Sequence, residues 1–305
     1  MWMLAALMLV NEPEPVEIHG FADTYWYSAN VSRGKIPFAR PILFQEVEVD
    51  AVSRDLGQFN FYYAATHSLS DVRDKVCGRF DIEDDVLVTY GYDFDLAEGW
   101  KLRTRLGHLW ILSRALKPPY KGVDDATARE WYTRETLVTP WLNFYAAVHY
   151  RTVPYRGVYF KSGVTRTFDL GRGFSMTGEF CAEGGNKEWN ANRYGHRITW
   201  RKPDYRAGPA DLRAGLVLNY EICDWCLVSA GIHRFDMVMD EARAQGRYRA
   251  AKGYRNDLTY YTLGIFVFFC EFTKTLGDFR IKQVYEAHNS NCNCRGGAFG
   301  VRHEP

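Results

Sequence analysis

Apolar and polar side chains alternate with a period of two along most of the chain. From Arg79 to Leu96 one parity carries Phe80, Ile82, Val86, Val88, Tyr90, Tyr92, Phe94 and Leu96, broken by Asp84. The other carries Arg79, Asp81, Glu83, Asp85, Thr89, Asp93 and Asp95, broken by Leu87 and Gly91. A strand places two such sets on opposite faces. Next, Trp100, Leu102, Leu106, His108, Trp110 and Leu112 alternate with Lys101, Arg103 and Arg105. Similar alternation runs through 43–51, 59–66, 142–151, 158–169, 174–183 and 212–221, and more weakly through 18–32, 129–138, 225–236 and 257–272. The pattern predicts an all-β protein of about twelve strands.

Connections add a second regularity. Short turns are expected near 54–57, 97–99, 139–140, 171–173 and 223–224. They alternate with loops that are mostly longer, near 33–41, 69–78, 113–128, 152–156, 185–210 and 237–256. Sorting by length to opposite ends is a property of up-and-down antiparallel barrels that cross an outer membrane. A soluble sandwich has no reason to sort its loops. Aromatic residues flank the short turns: Phe94 and Trp100, Trp141, Phe168 and Phe174, Tyr220 and Trp225. At one end of a barrel they would form an interfacial girdle, with ordinary strand-end packing as the alternative.

Composition narrows the choice. The chain has 305 residues, with 38 Lys and Arg against 37 Asp and Glu, so it lacks the cationic excess of a general nucleic-acid binder. Its 16% aromatic content argues against disorder. A mean hydropathy of −0.34 fits a soluble protein and equally a barrel whose two faces average out. Twelve strands at a spacing of ~4.8 Å and a tilt of ~40° give a backbone diameter of roughly 24 Å. Side chains then leave a gap of about 12 Å, which apolar residues alone fill poorly. The apolar face is therefore expected to meet lipid, with a wet or plugged interior. Arg166 and Asp84 sit on the apolar parity, and Arg134 and Glu135 fall on opposite faces of one strand, so its phase stays open.

Gly20-Phe-Ala-Asp-Thr-Tyr-Trp-Tyr27, Asp95-Leu-Ala-Glu-Gly-Trp100, Thr139-Pro-Trp-Leu-Asn-Phe-Tyr145 and Phe168-Asp-Leu-Gly-Arg-Gly-Phe174 carry a resemblance. In architecture and turn style the chain resembles bacterial outer-membrane β-barrels of the porin type (TorF-like), over about residues 17–272. The resemblance implies an outer-membrane location and passive passage of solutes. The domain reading is a signal-peptide-like or simply N-terminal segment at 1–16, the transmembrane barrel at 17–272 and a C-terminal periplasmic tail at 273–305. Such barrels usually end in an aromatic residue, whereas this chain ends Val301-Arg-His-Glu-Pro305.

Candidate pore-lining residues are Glu46, Glu48, Asp50 and Asp85 on the acidic side, and Lys101, Arg103, Arg105, Lys161 and Arg213 on the basic side. They would line a pore or brace the wall internally, and Asp81, Glu83 and Asp85 could neutralise the basic strip. Basic residues in 187–206 and 237–256 would contact lipopolysaccharide or attract anions, or form a solvated surface. The expected partners are membrane lipid, lipopolysaccharide and small hydrophilic solutes, with no nucleic acid and no cofactor. Cys223 and Cys226 could form disulfides with Cys292 and Cys294 in the tail, or supply a zinc site. The leading expectation is a channel for small hydrophilic solutes, with anion preference as a finer one. The alternatives are a closed structural or surface-binding barrel, and a lipid-modifying enzyme that would use His108.

Overall fold

The computed structural model describes residues 16–32, 35–38, 41–53, 56–69, 81–113, 126–153, 155–194, 205–243 and 256–271. The segments expected to be a signal peptide and a tail, and most of the two basic loops, lie outside these residues, as do Phe80 and Cys77.

Twelve long strands close into one barrel. They are β1 (Glu17–Tyr27), β4 (Ile42–Ser53), β5 (Gly57–Ser68), β6 (Asp81–Ala97), β7 (Trp100–Ser113) and β8 (Ala126–Val138). β9 (Asn143–Val153), β10 (Gly157–Gly171), β11 (Phe174–Gly185), β12 (Gly208–Cys223), β13 (Cys226–Met237) and β14 (Asp257–Glu271) complete it. Each strand pairs antiparallel with its neighbours in sequence, and β1 closes the ring by pairing with both β4 and β14. Between β1 and β4 lie β2 (Asn30–Ser32) and β3 (Lys35–Phe38), a separate two-stranded sheet.

The expected strand over 18–32 therefore ends early. Ser28 donates its N–H to the Tyr261 carbonyl at 2.9 Å, and its Oγ accepts the Tyr261 N–H at 2.8 Å. This double tie fixes the end of β1 against β14, and the chain then leaves the sheet. Strict alternation of loop length also fails once, because 154–156 joins β9 to β10 with only three residues.

The interior holds what the period-two pattern assigns to it. Inward positions include Glu48, Asn60, Glu130 and Asp211 together with Tyr62, Leu87, Leu109, Phe235 and Phe266, all buried. Outward positions carry Leu106 (60% exposed), Phe144 (46% exposed), Leu216, Leu263 and Ile265. Val88 and Leu102 share that outward side and are half-buried by their neighbours. β8 shows its phase plainly. Glu130, Tyr132, Arg134 and Thr136 are buried inside, while Glu135 is exposed outside, three residues from the end of the strand.

An apolar exterior around a polar interior is stable with hydrocarbon outside, and ring closure leaves no strand edge unpaired in the bilayer. A barrel of this construction belongs in an outer membrane. Leu106 lies mid-strand on that surface, so Leu106→Arg should lower stability by about 2–4 kcal/mol in lipid bilayers. Urea unfolding in liposomes measures it, and an unchanged midpoint would contradict a lipid-facing Leu106.

Candidate functional site

The interior wall is a set of polar braces between adjacent strands. On β4, Glu46, Glu48 and Asp50 all point inward and are buried. β5 meets them with neutral donors. Tyr62 donates its hydroxyl to Glu46 at 2.5 Å, and Asn60 Nδ2 donates to Glu48 at 2.8 Å and to Asp50 at 2.9 Å. Gln58 Nε2 donates to Asp50 at 2.6 Å. On the other side of β4, Asp23 of β1 stands directly opposite Glu46 and is also buried.

The acidic and basic strips are connected rather than opposed across water. Arg105 donates to the Gln58 side-chain oxygen, so the network runs from β4 through β5 to β7. Arg105 also reaches Asp93 at 3.1 Å, and Arg103 donates its Nε–H to the same carboxylate at 3.0 Å. One aspartate thus bridges two guanidiniums. Lys101 lies nearer the turn, 3.8 Å from the exposed Asp95. The basic strip meets other carboxylates of β6 than Asp81, Glu83 and Asp85 in register. The β6–β7 register sets Asp93 opposite Arg103 and Asp95 opposite Lys101, while Asp85 stands opposite Ile111, far along the strand. Asp85 is nonetheless inward and buried.

Two further braces complete the ring. On β8 and β9, Arg151 Nε donates to the buried Glu130 at 2.7 Å, and His149 Nδ1 lies 3.0 Å from the same carboxylate. On β10 to β12, Lys161 lies 3.3 Å from Glu179 and 3.9 Å from Glu183. Arg213 donates to Glu183 at 2.9 Å and lies 3.7 Å from Asp211. Tyr145 donates its hydroxyl to Glu179. Charge-assisted hydrogen bonds of this kind let ionised groups be buried, since each carboxylate gains partners in place of water.

One helix enters this site. α1 (Lys187–Tyr194) occupies the loop after β11, where no element was expected. Asn186 caps it, accepting the Trp189 N–H at 2.9 Å. Asn190 donates its amide to the carbonyls of Gly185, Arg206 and Gly208, tying the helix to both ends of the loop. Trp189 is fully buried against inward residues, with its ring 5.1 Å from that of Tyr159 and 4.6 Å from the Arg151 guanidinium. Gly157 and Gly185 make the space. A Cβ at Gly185 would sit 2.5 Å from the Trp189 ring, and one at Gly157 3.3 Å from its backbone. Trp189 therefore packs inside the loop end of the ring, against Tyr159 and Arg151.

The remaining candidates fall outside the lumen. Phe94, Trp141, Phe168, Phe174, Tyr220 and Trp225 are exposed at the short-turn end, and Trp100 packs edge-on to Trp141 at 6.0 Å. Phe174 and Tyr220 pair across β11 and β12 at 4.5 Å. Arg166 is outward, with its guanidinium 4.9 Å from the Phe168 ring. His108 faces outward against Trp110 and Trp131, at 4.2 and 5.0 Å. Among the described residues no group of three or more His, Cys, Asp and Glu is placed to hold a metal ion. Cys292 and Cys294 of the supposed zinc set lie outside those residues.

Sequence reasoning missed Asp93, Gln58, Asn60, Glu130, His149 and Glu179 as brace members. Counting outward from the β6–β7 turn would have found Asp93, because hairpin register follows from the turn.

No protein-family model matches the chain, and no curated protein matches it. Among solved structures, the chain is similar to the NanC porin at 13% identity, covering 81% of this chain and 98% of that one, with a TM-score of 0.47. It is similar to the KdgM porin at 9% identity, covering 82% and 99%, with a TM-score of 0.43. An outer membrane channel from Pseudomonas putida F1 is 8% identical, covering 85% and 97%, with a TM-score of 0.46.

Proposed function

We propose that the protein is a porin-like outer-membrane barrel, of the TorF-like kind its turns resemble, through which small hydrophilic solutes diffuse. The carrying observation is an inner wall rich in Asp, Glu, Lys and Arg side chains. Glu46, Glu48, Asp50, Asp85, Arg103, Arg105, Lys161 and Arg213 all point inward, so the inside of the ring is polar and charged. In this reading they line and shape the solute path, with Lys101 at its short-turn end. Phe94, Trp100, Trp141, Phe168, Phe174, Tyr220 and Trp225 form the interfacial girdle, where amphipathic rings are most stable.

Selectivity is assigned to the interior rather than to the loops. Of the basic loop residues, Lys187, Arg206 and Arg243 are described and exposed, and suit contact with lipopolysaccharide phosphates. The anion preference expected from these loops competes with the lumen. There, among the described residues, buried inward carboxylates outnumber buried inward cations. Charge closest to the narrow path dominates selection, so cations should pass in preference to anions.

A closed structural barrel is the second reading. The full burial of Glu48, Asn60, Glu130 and Trp189 favours it. Planar-bilayer recording separates the two. The wild type should give discrete conductance steps that grow after Trp189→Ala, with a reversal potential on the cation side in a salt gradient. Silence from both proteins would support the closed barrel, and an anion-selective current would return selectivity to the loops.

The braces should be stabilising in either reading. Glu130→Ala leaves Arg151 and His149 buried without their shared carboxylate, and should cost about 3–5 kcal/mol in urea unfolding. Glu98→Ala at the exposed β6–β7 turn should leave the midpoint unchanged.

A further inference from the structure

Cys223 ends β12 and Cys226 begins β13, so Asp224 and Trp225 alone form the turn between them. The register pairs Cys223 directly with Cys226 across the hairpin. Both are half-buried free thiols, reachable by solvent. Cys181, by contrast, is fully buried inside the barrel. The turn is held in place, since the Phe268 N–H donates to the Trp225 carbonyl at 2.9 Å and anchors the tip to β14. Residues closing a four-residue turn have Cα atoms less than about 7 Å apart. A disulfide needs a Cα separation of roughly 4.4–6.8 Å, so the two requirements overlap.

Location supplies the chemistry. The turn lies on the rim that carries the short turns at 98–99 and 172–173. In an outer-membrane barrel that rim faces the periplasm, an oxidising compartment. We propose that Cys223 and Cys226 form a disulfide with each other, making the β12–β13 turn a thiol–disulfide exchange site for periplasmic dithiol oxidoreductases. One thiolate attacks a sulfur of the oxidised partner's disulfide, giving a mixed disulfide and a partner thiol. The second thiolate attacks the bonded sulfur on this chain, closing the Cys223–Cys226 bond and releasing the partner's other thiol. The chain loses two electrons and two protons, and the partner's disulfide gains both.

The proposal rests on the outer-membrane reading for its compartment but does not require a conducting lumen. Cleavage after Arg213 and Arg234 releases residues 214–234, whose only cysteines are Cys223 and Cys226. Full-length protein from acid-quenched envelopes, alkylated with N-ethylmaleimide without reductant, should yield this peptide unlabelled and lighter by two hydrogens. Prior reduction should give two labels. A peptide labelled without reduction, or one cross-linked to Cys292, Cys294 or any other cysteine, would overturn the pairing. In glutathione redox buffers the folded barrel should interconvert the two forms while Cys181 stays unlabelled. A pair that never exchanges in the folded barrel would overturn the exchange role. A C223S variant should keep heat-modifiable migration on detergent gels, so that folding is scored apart from oxidation.

Discussion

Every peptide group inside a bilayer needs a partner, because hydrocarbon offers none. That requirement explains the β1–β14 seam. Without it, β1 and β14 would be the two edges of an open sheet, each with unpaired N–H and C=O groups. The seam runs from Ile18 opposite Glu271 to Tyr27 opposite Thr262. Ser28 extends the tie by one more pair of bonds to Tyr261, at the place where the chain departs for the β2–β3 sheet. Closure then determines what each parity can be. Side chains outside meet lipid and are mostly apolar, and polar and charged side chains are gathered inside.

Part of the interior carries its charge in locally balanced groups, beside the acidic cluster of Asp23, Glu46, Glu48 and Asp50 that the neutral donors of β5 meet. Asp93 serves both Arg103 and Arg105, Glu130 serves Arg151 and His149, and Glu183 serves Lys161 and Arg213. Each group bridges adjacent strands, so each also reports the register of one seam. A one-residue slip would turn every charge of a strand toward lipid, at a cost of about 2–4 kcal/mol for a cation near mid-bilayer. Buried ion pairs are weak contributors to net stability, yet breaking one is expensive. Register specificity is therefore a better account of these ion pairs than net stability is.

The barrel itself was legible because period-two alternation survives in strand after strand, and the inward direction of Glu46, Glu48, Asp50, Arg103 and Arg105 followed from it. What sequence left open is physically intelligible. β8 has a charge on both faces, and Glu135 is tolerated outside because it lies close to the strand end, within reach of water. Partners on neighbouring strands depend on register, which alternation does not report. Asp85 was therefore paired with the basic strip when Asp93 occupies that place. α1 escaped notice because Lys187–Tyr194 has no apolar stripe, only Trp189 and Ala191 among polar residues. It is held by the Asn186 cap, the Asn190 hydrogen bonds and the Trp189 side chain inserted beside Gly157 and Gly185, contacts invisible to any periodicity.

Trp189 also links the two halves of the problem. Its ring covers Arg151, whose guanidinium is held by Glu130, so the helix in the loop and the charge brace in the wall share one residue. Moving the helix away would uncover a cation already engaged below. Among the described residues at the loop end of the interior, Trp189 thus rests on a charged support. Solute passage, in this arrangement, depends on how far Trp189 and its helix fill the ring, while the width of the ring is set by strand number and tilt. The same backbone could serve as a channel or as a sealed barrel, and the side chains around Trp189 decide between them.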